Sequence, residues 1–540
     1  MTAFSLFHRP SFEKKLLEIS SQLQIQALIA AMFSFSSRFH NTHYSSITPL
    51  GIPSHLHFRE IAGQAVDKAF KQCSDDTPSL CLLQALILTT FGELISGVRG
   101  QAWRSVGKCV RVAYELQLHF VDKDQPKTSS CNDSMEPLAE EKRRAWWAIW
   151  EFDVFASTIR RLPTAIDWTL NETWLPIEDE IWFNNSHTKS CHLDSDSSLA
   201  WKSLETSGNR SPKAWFIVVN ALMRTAHVLS YPQAYPNTAR GQRSPPAKNV
   251  QDGVDVLSNA LYCLSAALPP QLAYQGEYLA FSKSMGGVET LQLDSARHNI
   301  HVMTQLSRFM INHYQVFDSA SRQLRLVDSS SQMNQSISAI NQSAWNHYLS
   351  AASEIVTLVR SCSPRHVGYV NPFLASTIWL AAAAQIVSKH IRSPSIDRRV
   401  AESNLDLLQT NLNAFVTTWG VSSALQQKLI ALEARIDSFE EHIGSSRPRD
   451  FSGGEKGSGT THSAAEPGGT WSNETRQNGT NTNSLAGLSQ QAGDSTSDWS
   501  FQQGLGVAGL EFGPVMGLDM WGWGVDELLT YNGMNELSSY

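Results

Sequence analysis

The sequence predicts an all-α protein: one large multi-helix domain, then a disordered linker, then an acidic-aromatic C-terminal tail. Three observations predict it. Apolar residues recur at i, i+3 and i+4 over most of the first 440 residues. No run alternates apolar and polar residues as half-buried strands do. At Gly444 the composition turns to Gly, Ser, Thr, Asn and Gln, too polar to bury a core. With 42% hydrophobic and 17% charged residues, the chain has the apolar content of a sizeable core.

The first helix is predicted over 14–35, where Leu16, Leu17, Ile19, Leu23, Leu28 and Ile29 keep the helical spacing. The same pattern predicts helices over 80–95, 102–118, 142–159, 214–229, 254–268, 300–317, 344–359, 372–391 and 405–419. Polar, Ser-rich or Pro-rich connectors at 122–137, 184–212, 231–249 and 328–338 separate them. The helical domain is therefore placed at 1–440 and the linker at 441–500. The tail at 501–540 mixes Trp521, Trp523, Leu528, Leu529 and Tyr531 with Asp526 and Glu527, and no Lys or Arg follows Arg476.

Charge follows this division. Residues 443–540 hold eleven acidic and four basic residues, so the whole net charge of −7 lies there and the body is neutral. A neutral body exerts no long-range pull on DNA or an anionic membrane. The seven cysteines are scattered and none stands in a C-x-x-C pair, which argues against a disulfide framework and a zinc module. With no signal peptide in view, cytosol or nucleus is the expected compartment. The most apolar stretch, NPFLASTIWLAAAAQIV, is too short to span a bilayer.

Catalytic patterns are sparse. His40-x-x-His43 lacks the carboxylate of a metalloprotease helix, and Asp75-Asp76 runs into Thr77-Pro78-Ser79 without a further acidic residue. There is no P-loop lysine motif. No catalytic, cofactor or metal residue is assigned, and the chain is not expected to be an enzyme.

The densest chemistry is EEKRRAWWAIWEFDVFASTIRRLPTAID, residues 140–167. Arginine beside tryptophan suits nucleic acid, with guanidinium on phosphate and indole on base. It also suits the interior of a helical domain. On a helix, Arg143, Trp147, Trp150 and Val154 share one face, with Trp146 and Asp153 close by. Each Trp brings a large apolar area, so that face is expected to be buried. A buried Asp153 needs a partner, and Arg143, Arg144, Arg160 and Arg161 are the candidates. The arginines are accordingly read as an internal ion-pair and cation–π scaffold.

These residues resemble the middle homology region of fungal transcription factors of the binuclear zinc-cluster class. That family carries an R-R-x-W-W-x-x-[FYW]-x-x-D segment, a G-R-P-x-x-I turn and a downstream L-P. Here stand Arg143-Arg144-Ala145-Trp146-Trp147, then Trp150 and Asp153, then Pro163 with Ile166, then Leu175-Pro176. Upstream, Cys109-Val110-Arg111-Val112-Ala113-Tyr114-Glu115-Leu116-Gln117-Leu118-His119 is similar to the family's A-x-R-M-A-x-x-L-x-L-H helix. His8-Arg9-Pro10-Ser11-Phe12 looks like its H-R-P-[ST]-F, and Asn371-Pro372-Phe373 and the helix ending at Trp419 match more weakly. Aligned on Pro163, the family's Gly and Arg become Arg161 and Leu162, so Arg160 or Arg161 stands in for the family arginine.

The resemblance implies a nuclear transcription regulator. Its body would act through an effector pocket or by masking the tail, and the tail would bind coactivators or transcription machinery as an acidic-hydrophobic activation segment. It also implies homo- or heterodimers with related factors. The family's DNA reader holds two Zn²⁺ on six cysteines; no such array occurs in these 540 residues. Zinc and direct DNA contact are expected only if that module lies upstream. The alternative is an interaction protein without its own DNA contact, a corepressor or dominant-negative partner; an all-α enzyme is a distant third.

Overall fold

The computed structural model describes residues 5–42, 54–123, 137–186, 188–230, 247–282, 288–313, 315–316, 342–390 and 397–445. The tail residues Trp521, Trp523, Asp526, Glu527, Leu528, Leu529 and Tyr531 lie outside them, as does nearly all of the expected linker.

The described residues are all-α, with fifteen α-helices and two isolated bridges, Trp174 with His192 and Leu279 with Cys362. The helices are α1 (Phe12–Glu18), α2 (Gln22–Ser36), α3 (His55–Cys73), α4 (Leu80–Ile95), α5 (Gly100–Glu115), α6 (Pro137–Arg160), α7 (Asp179–Phe183) and α8 (Ala200–Ser207). Then come α9 (Pro212–Ser230), α10 (Ala247–Ala267), α11 (Val288–His313), α12 (Gln342–Arg360), α13 (Ala375–His390), α14 (Arg398–Trp419) and α15 (Ala424–Ser445). None is long and apolar enough to cross a membrane.

Several expectations change, among them the connector expected over 184–212, which holds α8, and the stretch after 419, which carries α15. The helix predicted over 14–35 is two helices, because Ile19 and Ser21 are extended (ψ 114° at both) and the chain turns between them. The α3 helix was not foreseen. Its buried stripe is Ala62, Ala65, Val66 and Ala69, small residues that let it pack closely on α2 but barely raise the apolar periodicity.

The middle of the core is α4 and α6. Phe91 of α4 stacks on Phe152 of α6 with ring centroids 5.8 Å apart and planes 2° apart. Helix α9 packs on α6, α11 lies along α9, and α12, α13 and α14 continue the layer. Buried on almost every side, α6 is a central rather than a surface helix.

Candidate functional site

Helix α6 carries the Arg–Trp stretch, and its polar side chains are nearly all buried. Arg143 and Arg144 are 5% and 7% exposed, Glu140 not at all. Their charges close on one another. Arg143 donates Nε to Asp122 Oδ2 at 2.9 Å and Nη2 to Asp122 Oδ1 at 2.5 Å, a two-pronged pair, and Nη1 to Glu140 Oε2 at 3.2 Å. Arg144 donates Nε to Glu140 Oε1 at 2.9 Å and Nη2 to the Ile177 carbonyl at 2.6 Å, and pairs with Asp179. The carboxylates also take backbone donors: Trp174 N–H to Asp122 Oδ2 at 2.8 Å and Ile177 N–H to Glu140 Oε1 at 3.0 Å. The guanidinium carbons lie 5.4 Å from the Trp174 ring centre and 4.1 Å from the Trp182 ring centre.

Burial opposes the charge on both arginines, but Asp122 and Glu140 at Arg143, and Asp179 and Glu140 at Arg144, hold them above the usual arginine value. Neither arginine is available to a phosphate.

Trp146, Trp147 and Trp150 are buried. Trp146 donates its indole N–H to Asn171 Oδ1 at 3.0 Å, and Trp147 donates to the Trp174 carbonyl at 2.7 Å. Trp150 packs on Trp147 and Trp168, centroids 5.6 and 5.1 Å away. Arg160 lies over the Trp103 ring, 5.3 Å from its centre.

Asp153 corrects the sequence reading. None of the four candidate arginines is its hydrogen-bond partner. Arg143 and Arg144 stand ten and nine residues earlier on the same helix, about 13–15 Å along the axis. Asp153 instead caps the loop that follows α6. It accepts the Ala165 N–H at 3.0 Å, the Ile166 N–H at 2.8 Å and the Ser157 hydroxyl at 3.3 Å. Burial pushes its carboxyl above the usual range, offset in part by these donors and by Arg224. Arg224, from α9, reaches the same loop and donates to the Leu162 carbonyl at 2.7 Å.

The loop begins with a left-handed residue. Arg161 has φ +53°. Leu162 N–H reaches back to the Ser157 carbonyl at 3.0 Å and Arg161 N–H to Thr158 at 3.3 Å, the paired bonds of a Schellman cap. Arg161 thus stands in the conformation for which glycine is the usual residue, and Pro163 offers its carbonyl to Ser157 at 3.2 Å.

Distant segments of the sequence pattern meet on this helix. His8 donates its backbone N–H to Glu141 at 2.8 Å, and its ring faces the Trp182 carbonyl and the Ser11 hydroxyl. Asn371 donates its amide to Glu151 at 2.8 Å, and Phe373 stacks on Phe155 with centroids 3.9 Å apart. Glu140 was a readable partner, one turn before the arginines. Asp122 and Asp179 reach them only through the tertiary fold and left no local signal.

Residues 2–263 match the fungal specific transcription factor domain. An uncharacterized transcriptional regulatory protein of Schizosaccharomyces pombe is 22% identical over 464 residues, covering 79% of this chain and 45% of that protein. A tropolone cluster transcription factor of Talaromyces stipitatus is 27% identical over 206 residues, 38% of this chain and 34% of its own length. A Zn(2)-C6 fungal-type transcription factor of Fusarium oxysporum is 24% identical over 300 residues, 52% and 30% of the two chains. The chain spans less than half the length of each of these relatives. No solved structure matches. The matched span holds the H-R-P segment, the whole Arg–Trp helix with its acidic partners and the capped loop after it. Over residues 2–263, then, this chain carries the fungal specific transcription factor domain.

Proposed function

We propose that the protein is a nuclear transcription regulator of the fungal zinc-cluster class, with the helical body as its regulatory part and residues 501–540 as its activating part. The match of residues 2–263 to the family domain carries the reading. The buried state of Arg143 and Arg144 supports a scaffold role for α6 rather than contact with DNA. The tail's aromatic and acidic residues, Trp521, Trp523, Asp526, Glu527, Leu528, Leu529 and Tyr531, would engage coactivators or transcription machinery. Dimers with related factors would form through the body, and DNA contact would come from a six-cysteine module carried by this protein or by a partner. The reading gives the body no catalytic step.

Residues 501–540 fused to an unrelated DNA-binding domain test the activating part. Reporter transcription should rise, and Trp521→Ala with Trp523→Ala should lower it; a silent reporter overturns activation by the tail. Chromatin immunoprecipitation of the native protein tests the class. Enrichment at discrete promoters, with altered transcripts on deletion, is expected, and uniform absence of enrichment overturns it.

A further inference from the structure

Outside the matched domain, three buried side chains converge that the regulatory reading does not use. His298 lies on α11, Cys362 follows α12, and His366 opens the 3-10 turn His366–Gly368. One ligand-type atom from each lies within 4.8 Å of those from the other two. The exposures are 0%, 6% and 2%. We propose that His298, Cys362 and His366 form a site for one zinc-class divalent ion.

The strongest observation is His298. It is fully buried, and neither ring nitrogen makes a hydrogen bond of ordinary geometry, although the Asn299 side chain lies against the ring. A neutral imidazole carries one donor and one acceptor, and leaving both unmade in the interior is costly. A metal ion takes the acceptor nitrogen. The Asn299 side chain, which favours the protonated ring, is the neighbour to which the remaining N–H can turn.

His366 is held as metal-binding histidines are. Its Nδ1 faces the Ser363 carbonyl at 2.8 Å, which fixes the N–H there and leaves Nε2 as the lone-pair donor. The Asn411 amide nitrogen now lies 3.1 Å from Nε2, while the Asn411 carbonyl oxygen is buried without a partner. That amide is poorly satisfied in its present place and has to give way to the ion.

Cys362 is fixed by its flanks. Leu279 N–H donates to the Ser361 carbonyl at 2.8 Å and Ser363 N–H to the Leu279 carbonyl at 2.9 Å. Phe281 walls the cluster, its centroid 5.9 Å from His366 and 6.3 Å from His298.

One thiolate and two imidazoles are the donor set of zinc rather than of magnesium or calcium. Binding exchanges the S–H bond for an S–metal bond and releases the proton to solvent. Bringing the three atoms to tetrahedral spacing takes a closing movement on the order of 1 Å, and the fourth position falls to water or another small ligand.

The purified full chain, stripped with chelator and folded by circular dichroism, is titrated with Co²⁺. The expected result is a thiolate-to-cobalt charge-transfer band that saturates at one equivalent and is lost on adding Zn²⁺. Cys362→Ser should abolish that band and His298→Gln should abolish stoichiometric binding; Cys109→Ser, a buried thiol elsewhere, should leave both intact. Absence of the band in the folded wild-type chain, or its survival in Cys362→Ser, overturns the proposal. If either variant loses its helical spectrum, alkylation of the wild-type chain decides. Zn²⁺ should slow modification of Cys362 and leave Cys109 unchanged; equal rates at Cys362 with and without Zn²⁺ overturn the site.

Discussion

Arg161 ends α6 with φ +53°, where the family pattern places glycine. A side chain there costs about 1–2 kcal/mol in the left-handed region. Glycine removes that strain but loosens the unfolded chain. Arg161→Gly is therefore expected to leave stability within about 1 kcal/mol of the wild type, while Arg161→Val, branched at Cβ, should cost about 1–2 kcal/mol more than glycine. Thermal unfolding of the pair checks this, and equal stability of the two variants would sink the left-handed cap. Asp153, at the other edge of the same loop, holds two backbone N–H groups and a hydroxyl. Only Ile166 of the two backbone donors belongs to a buried residue, so Asp153→Ala should cost about 1–3 kcal/mol, the penalty of one orphaned buried donor. A loss beyond that would mean that Arg224, left facing the vacated position, counts for more than the loop's own hydrogen bonds.

At the scale of the element, α6 is stable only as a set of charges that answer one another. Removing one member strands the others in the interior. Arg143→Ala should cost about 3–5 kcal/mol, because Asp122 stays buried and loses its two-pronged partner. Replacing both partners with apolar residues, Arg143→Met with Asp122→Leu, should recover much of that loss. It should stop short of the wild type by about 1–3 kcal/mol, since the Trp174 N–H that Asp122 accepts is then orphaned. Denaturant melts of the single and paired variants make the cycle. A double variant less stable than Arg143→Ala would show that the network is held by packing rather than charge. This helix also marks how far sequence reasoning reached. Three closely spaced tryptophans made its burial legible, and Glu140 one turn away was legible from helical spacing. Asp122 and Asp179 were not, because they stand in a turn and at the start of the short α7, whose approach to α6 no local pattern encodes. Asp153 was misassigned because side-chain charges stand out in a sequence and backbone N–H groups do not. The same asymmetry hid α3, whose alanines pack well but signal weakly, whereas leucine-rich α4 was placed at its observed ends, Leu80 and Ile95.

Over the whole molecule, the charge left inside has a consequence for acid stability. His227 of α9 and His313 of α11 are both fully enclosed in the seam between those helices. Burial holds His313 down to about 3, with Arg161 adding repulsion. Burial also holds His227 well below its usual value, with Arg224, Arg161 and His313 working the same way. The sign follows from linkage. A histidine whose folded value is lowered binds its proton more readily when unfolded, so the fold loses stability as pH falls below the unfolded value near 6.5, and goes on losing it down to the folded value. Each such histidine contributes a slope of about 1.4 kcal/mol per pH unit in that window. Two of them should lower the melting temperature steadily between pH 6.5 and 5. Asp153, pushed up by burial, acts in the opposite sense, and repeating the series in Asp153→Asn removes its contribution. His313→Asn should remove one histidine's share of the slope, leaving the shares of His227 and of His298, His301 and His366, which burial lowers in the same direction. A melting temperature that does not move between pH 7 and 5, in the wild type and in Asp153→Asn, would mean that the α9–α11 seam opens to water and that these histidines titrate as free ones do.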